Sequence, residues 1–134
     1  MNKILGRFIT STDAAIGAGS NLTFSDNTVS SNCLEYQNGQ ILIKQPGLYR
    51  ISANFVVTSS SEAVATVQLQ ENGVVVPGAI ASSSLPASGI ANLSFNAVST
   101  VKGTCGSNDF ATLSFVNENA VTFSNMNVII EKIA

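Results

Sequence analysis

The sequence predicts an all-β domain, an antiparallel sandwich or barrel of about ten strands. Three observations predict it. Apolar residues recur with a period of two, as where Tyr49, Ile51, Ala53, Phe55 and Val57 alternate with Arg50, Ser52 and Asn54. That period puts one face of a strand toward a core and the other away from it. Turn-forming pairs such as Asn38-Gly39, Pro46-Gly47 and Asn72-Gly73 separate the apolar segments. Helical periodicity is almost absent.

Taken in order, residues 5–9 read as a first strand. Residues 10–21 are rich in Ser, Thr, Ala and Gly and read as an extended loop or arm. Residues 22–24 form a short apolar patch. Segments 33–36 and 41–43 flank Asn38-Gly39, whose residues accept the positive φ of a tight hairpin. The long strand at 48–58 follows, then a polar loop at 59–62. In 64–71, Ala65, Val67 and Leu69 alternate with Thr66, Gln68 and Gln70, and Asn72-Gly73 turns the chain into Val74-Val75-Val76. Residues 77–84 read as a weak strand. Ala91, Leu93, Phe95 and Ala97 alternate with Asn92, Ser94 and Asn96. A turn-rich connection at 102–108 leads to the strand at 111–115. In the last segment, 121–133, the apolar phase breaks near Ser124-Asn125, which predicts a bulge.

Composition narrows the function classes. A chain of 134 residues suffices for one domain with one core. Only 10% of residues are charged, against about 25% in an average soluble domain. Ser, Thr, Asn and Gln supply the polarity instead, which suits strands with uncharged outer faces, or surfaces that another subunit covers. Lys3, Arg7, Lys44, Arg50, Lys102 and Lys132 are scattered and the net charge is −2. Nucleic-acid binding needs clustered phosphate contacts and is not expected. No apolar stretch approaches the roughly 20 residues of a membrane helix. The apolar run Ile4-Leu5 is too short for the core of a secretory signal, so synthesis and folding in a cytoplasm are expected. Cys33 and Cys105 are accordingly read as two partly buried thiols, since spacing cannot establish a disulfide.

Four segments together resemble the complement-globular-head and tumour-necrosis-factor-like jelly rolls, in their bacterial and phage branch. They are Pro46-Gly47-Leu48-Tyr49 with its strand, Val67 to Gly73 leading to Val76-Pro77-Gly78, the strand at 91–100, and Val128-Ile129-Ile130-Glu131-Lys132-Ile133-Ala134. The chain is similar to the C-terminal domain of the collagen-like exosporium glycoprotein. The resemblance implies a trimeric jelly roll, in which the sheet holding the long strand packs around a threefold axis. It implies that Tyr49, Ile51, Ala53, Phe55 and Val57 fill the core, and that Arg50, Ser52, Asn54 and Val56 face the axis as the trimer interface. Residues 31–134 then form the head. Residues 1–32 have no clear counterpart, and residues 1–30 read as an N-terminal strand and docking arm. Within that arm Leu5, Phe8 and Ile9 either pair with the jelly roll or join a partner's sheet.

Catalytic chemistry is poorly supplied. There is no His and no Trp. That removes His-activated nucleophiles, the commonest general acid–base group and most zinc sites. Asn108-Asp109 and Asn117-Glu118-Asn119 are explained by turn chemistry rather than by Ca²⁺ ligation. No cofactor and no metal are expected. The expected function is that of a non-enzymatic virion protein, made in a host cytoplasm: a capsid decoration or head-fibre head of a bacteriophage. Its expected partners are two further copies of itself and a capsid or other virion protein. The alternatives are a tail-associated head that binds a receptor or host-surface glycan, and a spore-surface protein.

Overall fold

A computed structural model describes residues 4–29, 33–101 and 111–134. The expected connection at 102–108, Cys105 and Asn108-Asp109 lie outside the described residues. Within them there are twelve strands: β1 (Leu5–Thr10), β2 (Ala14–Ile16), β3 (Ser20–Asn21), β4 (Asp26–Val29), β5 (Leu34–Gln37), β6 (Gln40–Ile43), β7 (Gly47–Ser59), β8 (Ala63–Glu71), β9 (Val74–Leu85), β10 (Gly89–Val101), β11 (Ala111–Asn117) and β12 (Val121–Lys132). The strands form two antiparallel sheets. The first runs β10-β7-β12-β1-β4, with β2 added to β12; the second runs β5-β6-β11-β8-β9, with β3 added to β11. Apart from the β5-β6 and β8-β9 hairpins, neighbours in the sheets are distant in sequence.

The core lies between the sheets. From β7 come Tyr49, Ile51, Ala53, Phe55 and Val57, all buried, as the alternation predicts. From the second sheet come Ile41, Ile43, Val67, Leu69, Leu113 and Phe115. Phe55 stands at the centre, with its ring 5.9 Å from that of Phe115, 6.0 Å from Phe123 and 6.3 Å from Phe95. Edge-on and tilted contacts at such distances suit the quadrupoles of the rings. Tyr49 is also core, and its hydroxyl donates to the Gln45 carbonyl at 2.8 Å. Burial, with a lesser contribution from nearby Cys33, pushes its pKa up to about 12.

Two hairpins have the tight turns the sequence predicts. Asn38 and Gly39 have φ of 47° and 82°, and Asn72 and Gly73 have φ of 54° and 83°. Both residues of each turn are left-handed, which matches the twist of the flanking strands. A Cβ added at Gly73 meets nothing within 4 Å, so only the backbone opposes a side chain there. Gly73→Val is therefore expected to cost about 1–3 kcal/mol, the range for a strained backbone, read as a lower melting temperature. The expected bulge in the last strand is present. Register shifts between Phe123 and Asn125, and the buried phase moves from Val121 and Phe123 to Met126, Val128 and Ile130.

The strand expected at 5–9 is present and pairs with the jelly roll, but the expected arm at 10–21 is not separate from the sandwich. β1 lies between β12 and β4 and pairs with both, from Leu5↔Glu131 to Thr10↔Met126 on one side. Within the expected loop at 10–21, β2 pairs with β12 and β3 with β11. Leu22 and Phe24 are buried, and Phe24 N–H donates to the Tyr36 hydroxyl at 2.7 Å. Residues 4–29 are thus part of the sandwich. Phe8 is fully buried, 6.1 Å from the Phe24 ring and 6.0 Å from Tyr36. This corrects its expected place in a docking surface: its phase on β1 points inward, so it is core. Leu5 and Ile9 take the opposite phase, Leu5 exposed and Ile9 half-buried.

Candidate functional site: the outer face of the first sheet

Strand β7 is central to the first sheet, with β10 on one side and β12 on the other. Its outward residues therefore have neighbours on both sides, and the registers define rows across the face. Val98, Arg50, Glu131 and Leu5 make one row. The next is Asn96, Ser52, Ile129, Arg7 and Thr28. Then come Ser94, Asn54, Asn127, Ile9 and Asp26. Beyond them lie Asn92, Val56 and Asn125.

All four residues expected at the axis, Arg50, Ser52, Asn54 and Val56, thus lie on this face. Arg50 is the exception in chemistry. Its guanidinium donates to Glu131 Oε1 at 3.2 Å, and both side chains are largely exposed, so the pair contributes little to stability. The other three sit among Asn92, Ser94, Asn96, Asn125, Asn127 and Ile129. On β10, β7 and β12 these rows hold no charge at all. Exposed sheets usually carry Lys or Glu against unwanted association. The outer centre of this sheet also has a hollow of about 400 Å³, bordered by Asn54, Val56, Asn92, Ser94, Asn125 and Asn127. The polar phase of β10 was legible in the sequence, but the place of β10 and β12 beside β7 was not.

Other polar groups explain themselves locally. Lys44 Nζ lies 2.6 Å from Glu35 Oε2, and its hydrogen bond and charge hold the Glu35 carboxyl below the usual range. The Ser99 hydroxyl donates to Glu71. Asn117, first read as a turn residue, is a fully buried residue of β11 whose Nδ2 donates to the Ile16 carbonyl at 2.9 Å. It ties the end of β2 to the second sheet. Among the described residues no cluster of three or more His, Cys, Asp or Glu is placed to hold a metal ion, and no helix is long and apolar enough to cross a membrane.

No family model matches the chain, and no curated protein matches it. Solved structures do match, over nearly its whole length. The globular domain of zebrafish complement 1qA superposes with a TM-score of 0.73 at 13% identity, covering 98% of this chain and 97% of that one. Eiger TNF from S. frugiperda gives a TM-score of 0.70 at 10% identity, covering 98% and 92%. The PRD1 vertex protein P5 gives 0.54 at 17% identity, covering 98% and 96%. At such identities the likeness is one of fold. The chain has the jelly-roll fold shared by complement-head-like and tumour-necrosis-factor-like proteins.

Proposed function

We propose that the chain is a non-enzymatic structural protein of a bacteriophage virion, a trimeric jelly-roll head that decorates the capsid or tips a head fibre. The observation that carries the assembly is the charge-free centre of the first sheet's outer face, around Ser52, Asn54 and Val56. Uncharged amides and hydroxyls can lie near a symmetry axis without the cost that like charges would incur there. The virion setting is supported by the likeness to the PRD1 protein, whose name places it at a vertex. The exposed Leu5 and half-buried Ile9 on β1, next to the edge strand β4, are the docking residues toward a capsid or other virion protein.

The glycan-binding alternative has less support. Sugar rings stack on exposed aromatics, and among the described residues Phe8, Phe24, Tyr49, Phe55, Phe95, Phe115 and Phe123 are buried. Tyr36 is half-buried and hydrogen-bonded to Phe24. The test is compositional. Gradient-purified phage particles from the source should contain the chain at a fixed ratio to the major capsid protein, as read by mass spectrometry. Absence from particles, or recovery in purified spore coats, would overturn the virion assignment.

A further inference from the structure

One corner of the sandwich joins apolar walls to a single carboxylate. β9 is the edge strand of the second sheet and β10 that of the first, and the two lie side by side without pairing. Residues 74–77 of β9 and 98–100 of β10 border a hollow of about 300 Å³, whose walls include Glu71, Val74, Val75, Pro77, Val98 and Ser99. Its aliphatic residues are open to solvent: Val74 is 70% and Val98 55% exposed.

Glu71 brings the charge to this hollow. It is the last residue of β8 and continues the phase of the buried Val67 and Leu69, so it turns toward the first sheet. There the Ser99 hydroxyl donates to its Oε1. Ser99 is 7% exposed and lies between the buried Ala97 and Val101 on the inward phase of β10. The bond crosses from one sheet to the other and holds the carboxylate at the rim. Among the described residues the ion pairs are Lys44–Glu35 and Arg50–Glu131, and neither includes Glu71. Its second oxygen has no hydrogen-bond partner among them.

Aliphatic walls beside one uncompensated carboxylate select a class of ligand. An apolar group alone would cover the carboxylate and leave it unpaired, which is costly. An anion would be repelled. A cation on an apolar stem satisfies both parts, its stem on Val74, Val75, Pro77 and Val98 and its charge on Glu71. Arginine matches a carboxylate best through two parallel bonds, one to each oxygen. With Oε1 engaged by Ser99, the compact ammonium of lysine is the better match. β9 and β10 also present unpaired edges here, so backbone carbonyls are available to the other two ammonium donors.

We infer that this corner receives a lysine side chain of another protein. It lies at the opposite edge of the first sheet from Leu5 and Ile9, so it is a second contact surface. The inference rests on the hollow and its one carboxylate, not on the trimeric or virion readings.

The test is a titration of the isotope-labelled full-length chain with Nα-acetyl-lysine methylamide, followed by backbone amide shifts. Saturable shifts are expected at residues 74–76 and 98–100. Glu71→Gln keeps the size of the side chain and an acceptor for Ser99, so the rest of the amide spectrum should stay as in the wild type. That variant should bind the probe at least about tenfold more weakly, the worth of one charge-assisted hydrogen bond. The norleucine analogue, which has the stem without the charge, should be weaker on the wild type by a similar factor. Absence of saturable shifts at these residues would overturn the site. Equal binding of the norleucine analogue, or wild-type binding by E71Q, would overturn the role of the carboxylate. Tighter binding of the arginine analogue would overturn the choice of lysine.

Discussion

Truncating Phe55 to alanine is expected to cost about 3–5 kcal/mol, the range for buried aromatic side chains. Phe55 is 1% exposed and its ring contacts Phe95, Phe115 and Phe123 at once. Those three partners come from β10, β11 and β12, so the ring joins both sheets. No neighbouring side chain can fill the space without leaving its own contacts. A domain of this size is held by about 5–15 kcal/mol in all. Phe55→Ala should therefore bring the chain close to unfolding, with a large drop in the denaturant midpoint. A drop under about 1 kcal/mol, within the range of ordinary surface changes, would mean that this aromatic cluster is not the centre of the core.

Deleting residues 1–21 is expected to abolish folding. The deletion removes β1, β2 and β3 together, and with them the buried Phe8 and Ile4. It also strips β12 of its partners in both the Leu5–Thr10 and Ala14–Ile16 segments, leaving a long row of backbone donors and acceptors unpaired. Asn117 loses the Ile16 carbonyl to which it donates, so a fully buried amide is left unsatisfied. The truncated chain should show neither a cooperative melt nor native β signal by circular dichroism. A folded truncated chain would restore the view that this segment is an arm.

The long strands were legible because each carries its own pattern. β7 and β10 alternate closely enough that their buried faces can be read residue by residue, while β8 also buries Thr66 and β12 changes phase at its bulge. The Asn38-Gly39 and Asn72-Gly73 turns were legible because few residue pairs tolerate two positive φ values. The short strands β2, β3 and β4 were not. Ala14–Ile16, Ser20–Asn21 and Asp26–Val29 have no apolar alternation of their own. They are strands because β12, β11 and β1 present open edges to them, which is a tertiary cause that local sequence does not encode. The total of twelve strands rather than about ten follows from the same edges.

The candidate site divides in the same way. The outward phase of Arg50, Ser52, Asn54 and Val56 follows from alternation along β7. The rows that extend it through Asn92, Ser94, Asn96, Asn125 and Asn127 depend on strand order, which brings segments about forty to seventy residues away to either side of β7. Phe8 was misplaced for a related reason. A lone aromatic in a short strand has an inward phase only once its neighbours in the sheet are known.

The trimeric reading places the charge-free centre of the first sheet's outer face around a threefold axis. Light scattering of the purified full-length chain at micromolar concentration tests it most directly. A single species of three times the 13.9 kDa chain mass is expected. A clean monomer at that concentration would contradict it.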